Sequence, residues 1–454
     1  MLGEQIKQIS GGKPFKMLKT YEETLEYLYR LLPMYQRQGK AAFKKDLTNI
    51  NKLCFQLGFP QWKFKSIHLG GTNGKGSVSS MLASILQEAG YKTGLYTSPH
   101  LKSFTERIRV NGREISQKQL IHFVNQHQEM IEAIQPSFFE MTVAMAFEHF
   151  AQQEVDIAVI EVGLGGRLDS TNIISPELSV ITNISMDHQS ILGDSLEAIA
   201  GEKAGIIKKY TPVVIGETHA KTREVFKRKA EEMEADIYFA SEEIIVERTS
   251  FDMHHQHFNI SGNLSKELHK SYQLDLAGQY QAQNLATCMC AIEQLRRDVW
   301  EITPRAIQKG LKGIIKNTGL LGRMQVLNTQ PLIICDTGHN EAGVQAIITQ
   351  LAEIPHEQLH LVWGMLDDKD HEAILGLLPK HAHYYFVKPD VPRGMDAGLL
   401  SQKAAEFGLE GLVCKRVDTG LTKAQAAAAN SDLILVGGSM FVVAEVLGVW
   451  PLRH

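Results

Sequence analysis

One segment limits what this chain can fold into more than any other. Ser66-Ile-His-Leu-Gly-Gly-Thr-Asn-Gly-Lys-Gly-Ser-Val-Ser-Ser80 runs from an apolar stretch through a glycine-rich turn into a helical pattern. A strand, a tight turn and a helix in that order aim backbone N–H groups and the positive end of a helix at one point. Glycines admit the turn, Lys75 supplies a point charge, and Ser77 can offer a hydroxyl to a phosphate-bound magnesium ion. The segment predicts a phosphate cradle with ATP as its first candidate ligand; a glycine-rich turn with no ligand is the plainer alternative.

The spacing narrows the choice. The general nucleotide loop G-x-x-x-x-G-K-[ST] is not met, because Leu69 stands at its first glycine and Gly76 at its serine or threonine. The short form present, Gly71-Thr72-Asn73-Gly74-Lys75-Gly76-Ser77, resembles the loop of ATP-dependent carboxylate–amine ligases of the Mur type.

The chain has 454 residues, enough for roughly two to four domains. Its 44% hydrophobic content suffices for substantial cores. A formal charge of −4 gives no electrostatic case for nucleic acid or an anionic membrane, so small-molecule chemistry is expected. Cys54, Cys288, Cys290, Cys335 and Cys414 are too scattered for a disulfide framework or a paired zinc site, which predicts a reducing, cytoplasmic setting. The N-terminus lacks a secretory pattern and no apolar run is long enough to span a bilayer, so no membrane anchor is expected.

Periodicity predicts helices within Tyr21 to Leu57, over Ser77 to Ala89, Ser116 to Ile134 and Phe139 to Gln152, and from about Ala282. Buried strands are predicted at Lys92 to Tyr96, Val155 to Val162 and Leu178 to Asn183. The segment from about Glu242 to Leu276 alternates as antiparallel strands do. After a candidate linker, Lys312 to Gly322, a second strand set follows at Leu332 to Asp336, Leu359 to Trp363 and Asp432 to Val436. Ala424 to Ala429 favours helix. The predicted architecture is α/β: a P-loop-containing, doubly wound ATPase domain over 1–316, then a smaller Rossmann-like α/β domain over 317–454.

Two further strand ends carry chemistry. Glu161, in Glu161-Val-Gly-Leu-Gly-Gly-Arg167-Leu-Asp169-Ser-Thr-Asn172, falls where open α/β sheets bind ligands, and its carboxylate suits magnesium. Taken alone, such a residue is as often structural. His188, in Met-Asp187-His188-Gln-Ser, and Lys203, in Gly-Glu202-Lys203-Ala-Gly, follow the next strand; by residue type alone they are an ordinary histidine and a surface lysine.

Taken together the segments GTNGKGS, TSPHL, SFFE, EVGLGGRLDSTN, DHQSILGDS and EKAGI, in this order, resemble folylpolyglutamate synthase/dihydrofolate synthase over about Tyr21 to Val446. The resemblance implies a ligase that phosphorylates a carboxylate with ATP and lets the amine of L-glutamate displace the phosphate, the acceptor being dihydropteroate, a reduced folate or both. It implies that Thr72, Asn73, Gly74, Lys75, Gly76, Ser77, Asn284, Arg323 and Asp336 hold ATP, with Gln281 beside Asn284 near the adenine. Ser77, Glu161 and His188 would surround Mg2+. Lys75, His188, Lys203 and His339 would serve catalysis, with Lys203 open to carbamylation. Ser98, Pro99, His100, Phe138, Phe139 and Glu140 would line the pterin site, and Ser439 would lie near the incoming glutamate.

The chain departs from that family's pattern at Leu320-Leu-Gly-Arg323, at Asp336-Thr-Gly-His339-Asn340 and at Tyr280. Val362 to Asp370 is expected to be structural, and the protein to be a monomer. The competing readings are a Mur-type ligase for another carboxylate acceptor and a protein that uses ATP as a switch without forming an amide.

Overall fold

The computed structural model describes residues 17–34 and 46–450. The first sheet has eight strands, β1 (Lys65–Gly70), β2 (Thr93–Tyr96), β3 (Ile108–Val110), β4 (Arg113–Glu114), β5 (Ile157–Glu161), β6 (Leu178–Ile181), β7 (Val213–Ile215) and β8 (Ile237–Phe239). Their order is β4-β3-β2-β5-β1-β6-β7-β8. All pairs from β2 to β8 in that order are parallel, and β3 and β4 add an antiparallel edge. Strands β2, β5, β6 and β7 are buried along their whole length, which is why they read as mostly apolar without alternation.

Helices cover both faces. The phosphate-loop helix, Lys75–Glu88, is buried at every residue from Ser77 to Leu86. Ser84 Oγ in it donates to the Gly310 carbonyl at 2.7 Å, where a second helix, Pro304–Lys312, crosses. Capping boxes start two other helices: Ser116 with Gln119 before Gln117–Ile134, and Ser137 with Glu140 before Phe138–Gln152. Within Tyr21 to Leu57 the described helices are Tyr21–Leu31 and Thr48–Gln56; the rest of that prediction includes residues 35–45, outside the described residues.

Strands β9 (Ile244–Phe251), β10 (Gln256–Gly262) and β11 (Ser271–Leu274) form the expected antiparallel sheet. Phe258, Ile260, Tyr272 and Leu274 pack in one core with Leu285 and Met289 of the helix Gln281–Arg297.

The stretch read as a linker is more ordered than its composition suggests. Ile314–Thr318 forms a helix, with Ile314 and Thr318 buried beside the phosphate-loop helix. Lysine and glycine gave the stretch a polar look, while Ile314 and Thr318, four apart, supply a buried face.

The second sheet comprises β12 (Gln325–Thr329), β13 (Leu332–Cys335), β14 (Leu359–Trp363), β15 (His383–Phe386), β16 (Gly411–Val413) and β17 (Leu433–Gly437). Its order is β12-β13-β17-β14-β15-β16, parallel except for the β12–β13 pair. The alanine-rich patch closes the helix Val417–Ala427; Ala428 is already extended, so the helix stops short of Ala429. Loops from the carboxyl ends of β1 and β6 in the first sheet meet loops from β13 and β14 in the second, through Asn73–Asn340 and Asp187–Lys369 bonds. The crevice expected of parallel sheets is therefore built from both sheets.

Candidate active site

The loop after β1 is moored to the end of β6. Thr72 N donates to the Asn183 carbonyl at 2.9 Å, Asn73 N to Asn183 Oδ1 at 2.9 Å, and Thr182 Oγ1 to the Asn73 carbonyl at 2.5 Å. Gly71 has φ +140°, and a Cβ there would overlap Thr182 Oγ1; at Gly74, φ +82°, it would overlap Asn284 Oδ1. These two glycines are thus fixed by backbone conformation and close approach together. Lys75 Nζ reaches back to the carbonyls of Gly71 and Thr72 at 3.2 and 3.1 Å.

Gln281 Nε2 donates to Ser77 Oγ at 3.3 Å, and Asn284 Nδ2 to Gln281 Oε1 at 2.8 Å. Both side chains therefore brace the loop, and of the two it is Asn284 that also lines the cavity above it. Across that cavity Arg323 lies 3.3 Å from where a Cβ on Gly76 would sit and hydrogen-bonds the Thr337 hydroxyl. Asp336 accepts from Met324 N at 2.8 Å and Gly338 N at 2.8 Å in its own domain and from Tyr280 Oη of the first domain at 2.6 Å, so its carboxylate is held from both sides.

Glu161 is 4% exposed and accepts from Ser98 N at 3.2 Å. Burial raises its pKa, opposed chiefly by the charge of Lys75. A buried carboxylate facing lysine and a serine hydroxyl fits a hard divalent ion. Among the described residues no three His, Cys, Asp or Glu side chains form a ready metal cluster. Ser77 and Glu161 would hold such an ion together with nucleotide oxygens and water. His188 follows Asp187 in the left-handed region, φ 50°, and burial lowers its pKa to about 3 despite Asp187, leaving the neutral imidazole a metal requires.

Lys203, 5% exposed, donates to the Gly71 carbonyl at 2.8 Å. Burial, then the charge of Lys75, lowers its pKa from 10.5 to about 7. The surface-lysine reading of Lys203 fails on that burial.

Asp187 joins the two halves of the site. Its Oδ1 pairs with Lys369 Nζ at 2.7 Å, and its Oδ2 accepts from Asn340 Nδ2 at 3.2 Å and lies 3.6 Å from His339 Nε2. Burial resists its ionisation, but the His339 hydrogen bond and the charge of Lys369 prevail and hold it well below the carboxylate range. Val362 to Asp370 therefore does more than shape the fold, since it delivers Lys369 into the centre.

A second cavity shares Thr72, Lys75, Ser98, Pro99 and His339 with the first. One end holds Phe138, Phe139, Glu140 and Asp169; the other reaches Lys369, Arg393 and Ser439 in the second domain. Phe139 presses on Gly163, where a Cβ would overlap its ring. His100 is not among the lining residues: its Nδ1 accepts from Arg107 Nε at 2.8 Å, and it is Arg107, 3% exposed and 5.6 Å over the Phe138 ring, that faces the cavity. Ser439 caps the helix Met440–Val449, accepting from Phe441 N at 3.2 Å.

Two family models match in succession, the Mur ligase middle domain over residues 69–292 and the Mur ligase glutamate ligase domain over 322–440. A Bacillus subtilis dihydrofolate synthase/folylpolyglutamate synthase is 31% identical over 446 residues, covering 95% of this chain and 99% of the relative. This chain belongs to that family. A Haloferax volcanii protein described as a probable bifunctional folylpolyglutamate synthase/dihydropteroate synthase is 32% identical across 95% of this chain, and the chain spans 50% of that relative's length. The solved structure of the bifunctional folylpolyglutamate synthase/dihydrofolate synthase from Yersinia pestis, complexed with AMPPNP and Mn ion, is 29% identical. It has a TM-score of 0.81 and covers 96% of this chain and 99% of that one.

Within the family's two-domain layout, this chain's departures fall at contacts described above. Tyr280 holds Asp336, and Thr337 holds Arg323. Sequence reasoning missed Asp187, Lys369, Asn340 and Arg107. For Lys369 a signal existed: a charged run, Asp367 to Asp370, separated by three residues from the apolar strand β14 at the carboxyl end of a parallel sheet.

Proposed function

We propose that this protein is an ATP-dependent ligase that adds L-glutamate to dihydropteroate, to the glutamate tail of reduced folates, or to both, releasing ADP and phosphate. One observation carries the reading: the cavity over the phosphate loop and the cavity lined by Phe139 and Asp169 share Lys75 and His339 in their walls. A terminal phosphate in the first and a carboxylate in the second would meet there.

A carboxylate oxygen attacks the γ-phosphorus and ADP leaves; the glutamate amine then attacks the acyl carbon and phosphate leaves. Lys75 and Arg323 offset charge on the nucleotide side, and Lys203 and His339 flank the transferred group. Ser77 and Glu161, with His188 beside them, would hold a divalent ion, which would supply positive charge to the phosphates. Phe139 offers a flat face to a pterin ring, and Ser439 and Lys369 lie where the incoming glutamate enters.

The neutral form of Lys203 is the one that reacts with carbon dioxide, and its low pKa supports carbamylation there. Two domains dividing near 316/317, a monomer, and a cytoplasmic location without nucleic-acid or membrane partners complete the reading. Its support is the −4 charge and the absence, among the described residues, of a helix long and apolar enough to cross a membrane.

The test is incorporation of labelled glutamate, dependent on ATP and Mg2+, with dihydropteroate and tetrahydrofolate in parallel and Lys75→Ala as control. Incorporation into both marks a bifunctional enzyme and into one settles the acceptor. Incorporation into neither overturns the folate reading in favour of another carboxylate.

A further inference from the structure

Asn340 is buried at the start of the second domain's helix Glu341–Leu351, where its Oδ1 accepts from Gly343 N at 2.9 Å as the N-cap. Gly343 N can only donate, so this bond fixes which way the amide points: Oδ1 to its own helix, Nδ2 outward. Nδ2 then reaches two groups of the first domain, Asn73 Oδ1 at 3.0 Å and Asp187 Oδ2 at 3.2 Å. Asn73 returns a bond from its own Nδ2 to Asn340 Oδ1 at 3.2 Å.

Asn73 belongs to the phosphate loop, and Asp187 carries Lys369 on its other oxygen at 2.7 Å. One amide thus ties the loop that meets the nucleotide to the second-domain elements that bear His339 and Lys369.

We infer that Asn340 is a positioning residue that couples nucleotide occupancy of the phosphate loop to placement of His339 and Lys369, acting through Asn73 and Asp187. It touches no reacting atom. Its effect on turnover rests on the ligase reading above, while its coupling of the two domains does not.

An aspartate at this position separates the two roles of Asn340. Asp is as good an N-cap as Asn, so Asn340→Asp keeps the helix start. It replaces the outward N–H donor with an oxygen that faces Asn73 Oδ1 and the Asp187 carboxylate. Asn340→Ala loses both the cap and the donor.

The experiment combines hydrogen exchange over residues 341–351 with and without AMPPNP, AMPPNP affinity, and glutamate incorporation. In the unaltered protein AMPPNP slows exchange at this helix start. In Asn340→Asp that slowing falls at least tenfold and kcat falls at least tenfold, while AMPPNP affinity stays within threefold. If Asn340→Asp behaves as the unaltered protein and only Asn340→Ala is impaired, Asn340 is a helix cap and the inference is overturned. Parallel loss of AMPPNP affinity and turnover in Asn340→Asp overturns it too, by making Asn340 part of the nucleotide site. If the unaltered protein makes no amide yet shows nucleotide-dependent protection that Asn340→Asp abolishes, the ligase reading falls and the coupling stands.

Discussion

Replacing Lys203 with methionine should change how stability depends on pH, by an amount fixed by its burial. Lys203 is 5% exposed, and burial followed by the charge of Lys75 moves its pKa from 10.5 to about 7. At ~1.4 kcal/mol per pH unit, the folded state carries roughly 5 kcal/mol of disfavoured charge wherever Lys203 is protonated. Below pH 7 folded and unfolded chains both hold the proton and the folded state bears the whole penalty. Between about 7 and 10.5 the unfolded chain holds a proton that the folded chain does not, so this group makes stability rise with pH. From pH 6 to pH 9 the relief amounts to roughly 2.5 kcal/mol. Methionine has no proton to bind and similar length, and Gly71 keeps Lys75 as a donor to its carbonyl at 3.2 Å. In buffers free of carbon dioxide, the Tm advantage of Lys203→Met over the unaltered protein should therefore shrink by roughly 3 °C between pH 6 and pH 9. Calorimetry of both proteins at each pH reads this directly. Parallel Tm curves would refute the argument, because they would mean that Lys203 titrates alike in the folded and unfolded chains.

Lys75→Ala should lower glutamate incorporation about 10²–10³-fold at unchanged Tm, since it removes a charge aimed at the phosphates and no core packing; an equal fall in Tm would assign Lys75 to structure. With 13C-labelled bicarbonate at pH 8, a carbamate carbon signal should appear in the unaltered protein and be absent from Lys203→Met; its presence in both would place the modification elsewhere. Gly163→Ala puts a Cβ into the Phe139 ring and should raise the KM for the pterin-bearing acceptor at least tenfold while leaving ATP KM within twofold; equal effects on both would show that the two cavities do not bind separately. The Asp187–Lys369 pair is about nine-tenths buried on both sides, so Lys369→Met alone should cost about 3–5 kcal/mol in urea unfolding. The double variant with Asp187→Asn should cost less than the sum of the single ones, and strict additivity would show that the pair is not coupled.

The elements legible in the sequence are those whose signal is local. Strand β5 declared itself as an apolar run because both its faces are covered, and the helix starts read at Ser116 and Phe139 lie within two residues of serine caps whose capping partners follow three residues on. The phosphate loop was legible for the same reason, its backbone demands being written in adjacent glycines. Errors arose where a long-range partner decides the outcome. His100 stands next to cavity-lining Pro99, yet Arg107 takes its ring nitrogen and the place at the wall. Gln281 was rightly placed at a helix start, and the partner of its amide is the Ser77 hydroxyl, 204 residues away in the sequence. Asp187 and Lys369 are 182 residues apart, and no periodicity in either segment encodes that they meet.

The same long-range assembly explains why the centre holds so many cations before any phosphate arrives. Lys75 and Lys203 both donate to one carbonyl, that of Gly71, at 3.2 and 2.8 Å. Burial is the larger cost to the Lys203 ammonium and the charge of Lys75 at the same carbonyl adds to it, while Lys75 also has the Thr72 carbonyl at 3.1 Å. A triphosphate entering above the loop supplies the missing negative charge and offers Lys75 a better partner than its own backbone. Lys369 is spared this conflict because Asp187 already faces it. On the proposed function, Lys75 would exchange its backbone carbonyls for nucleotide phosphates, and a substrate carboxylate would compete with Asp187 for Lys369.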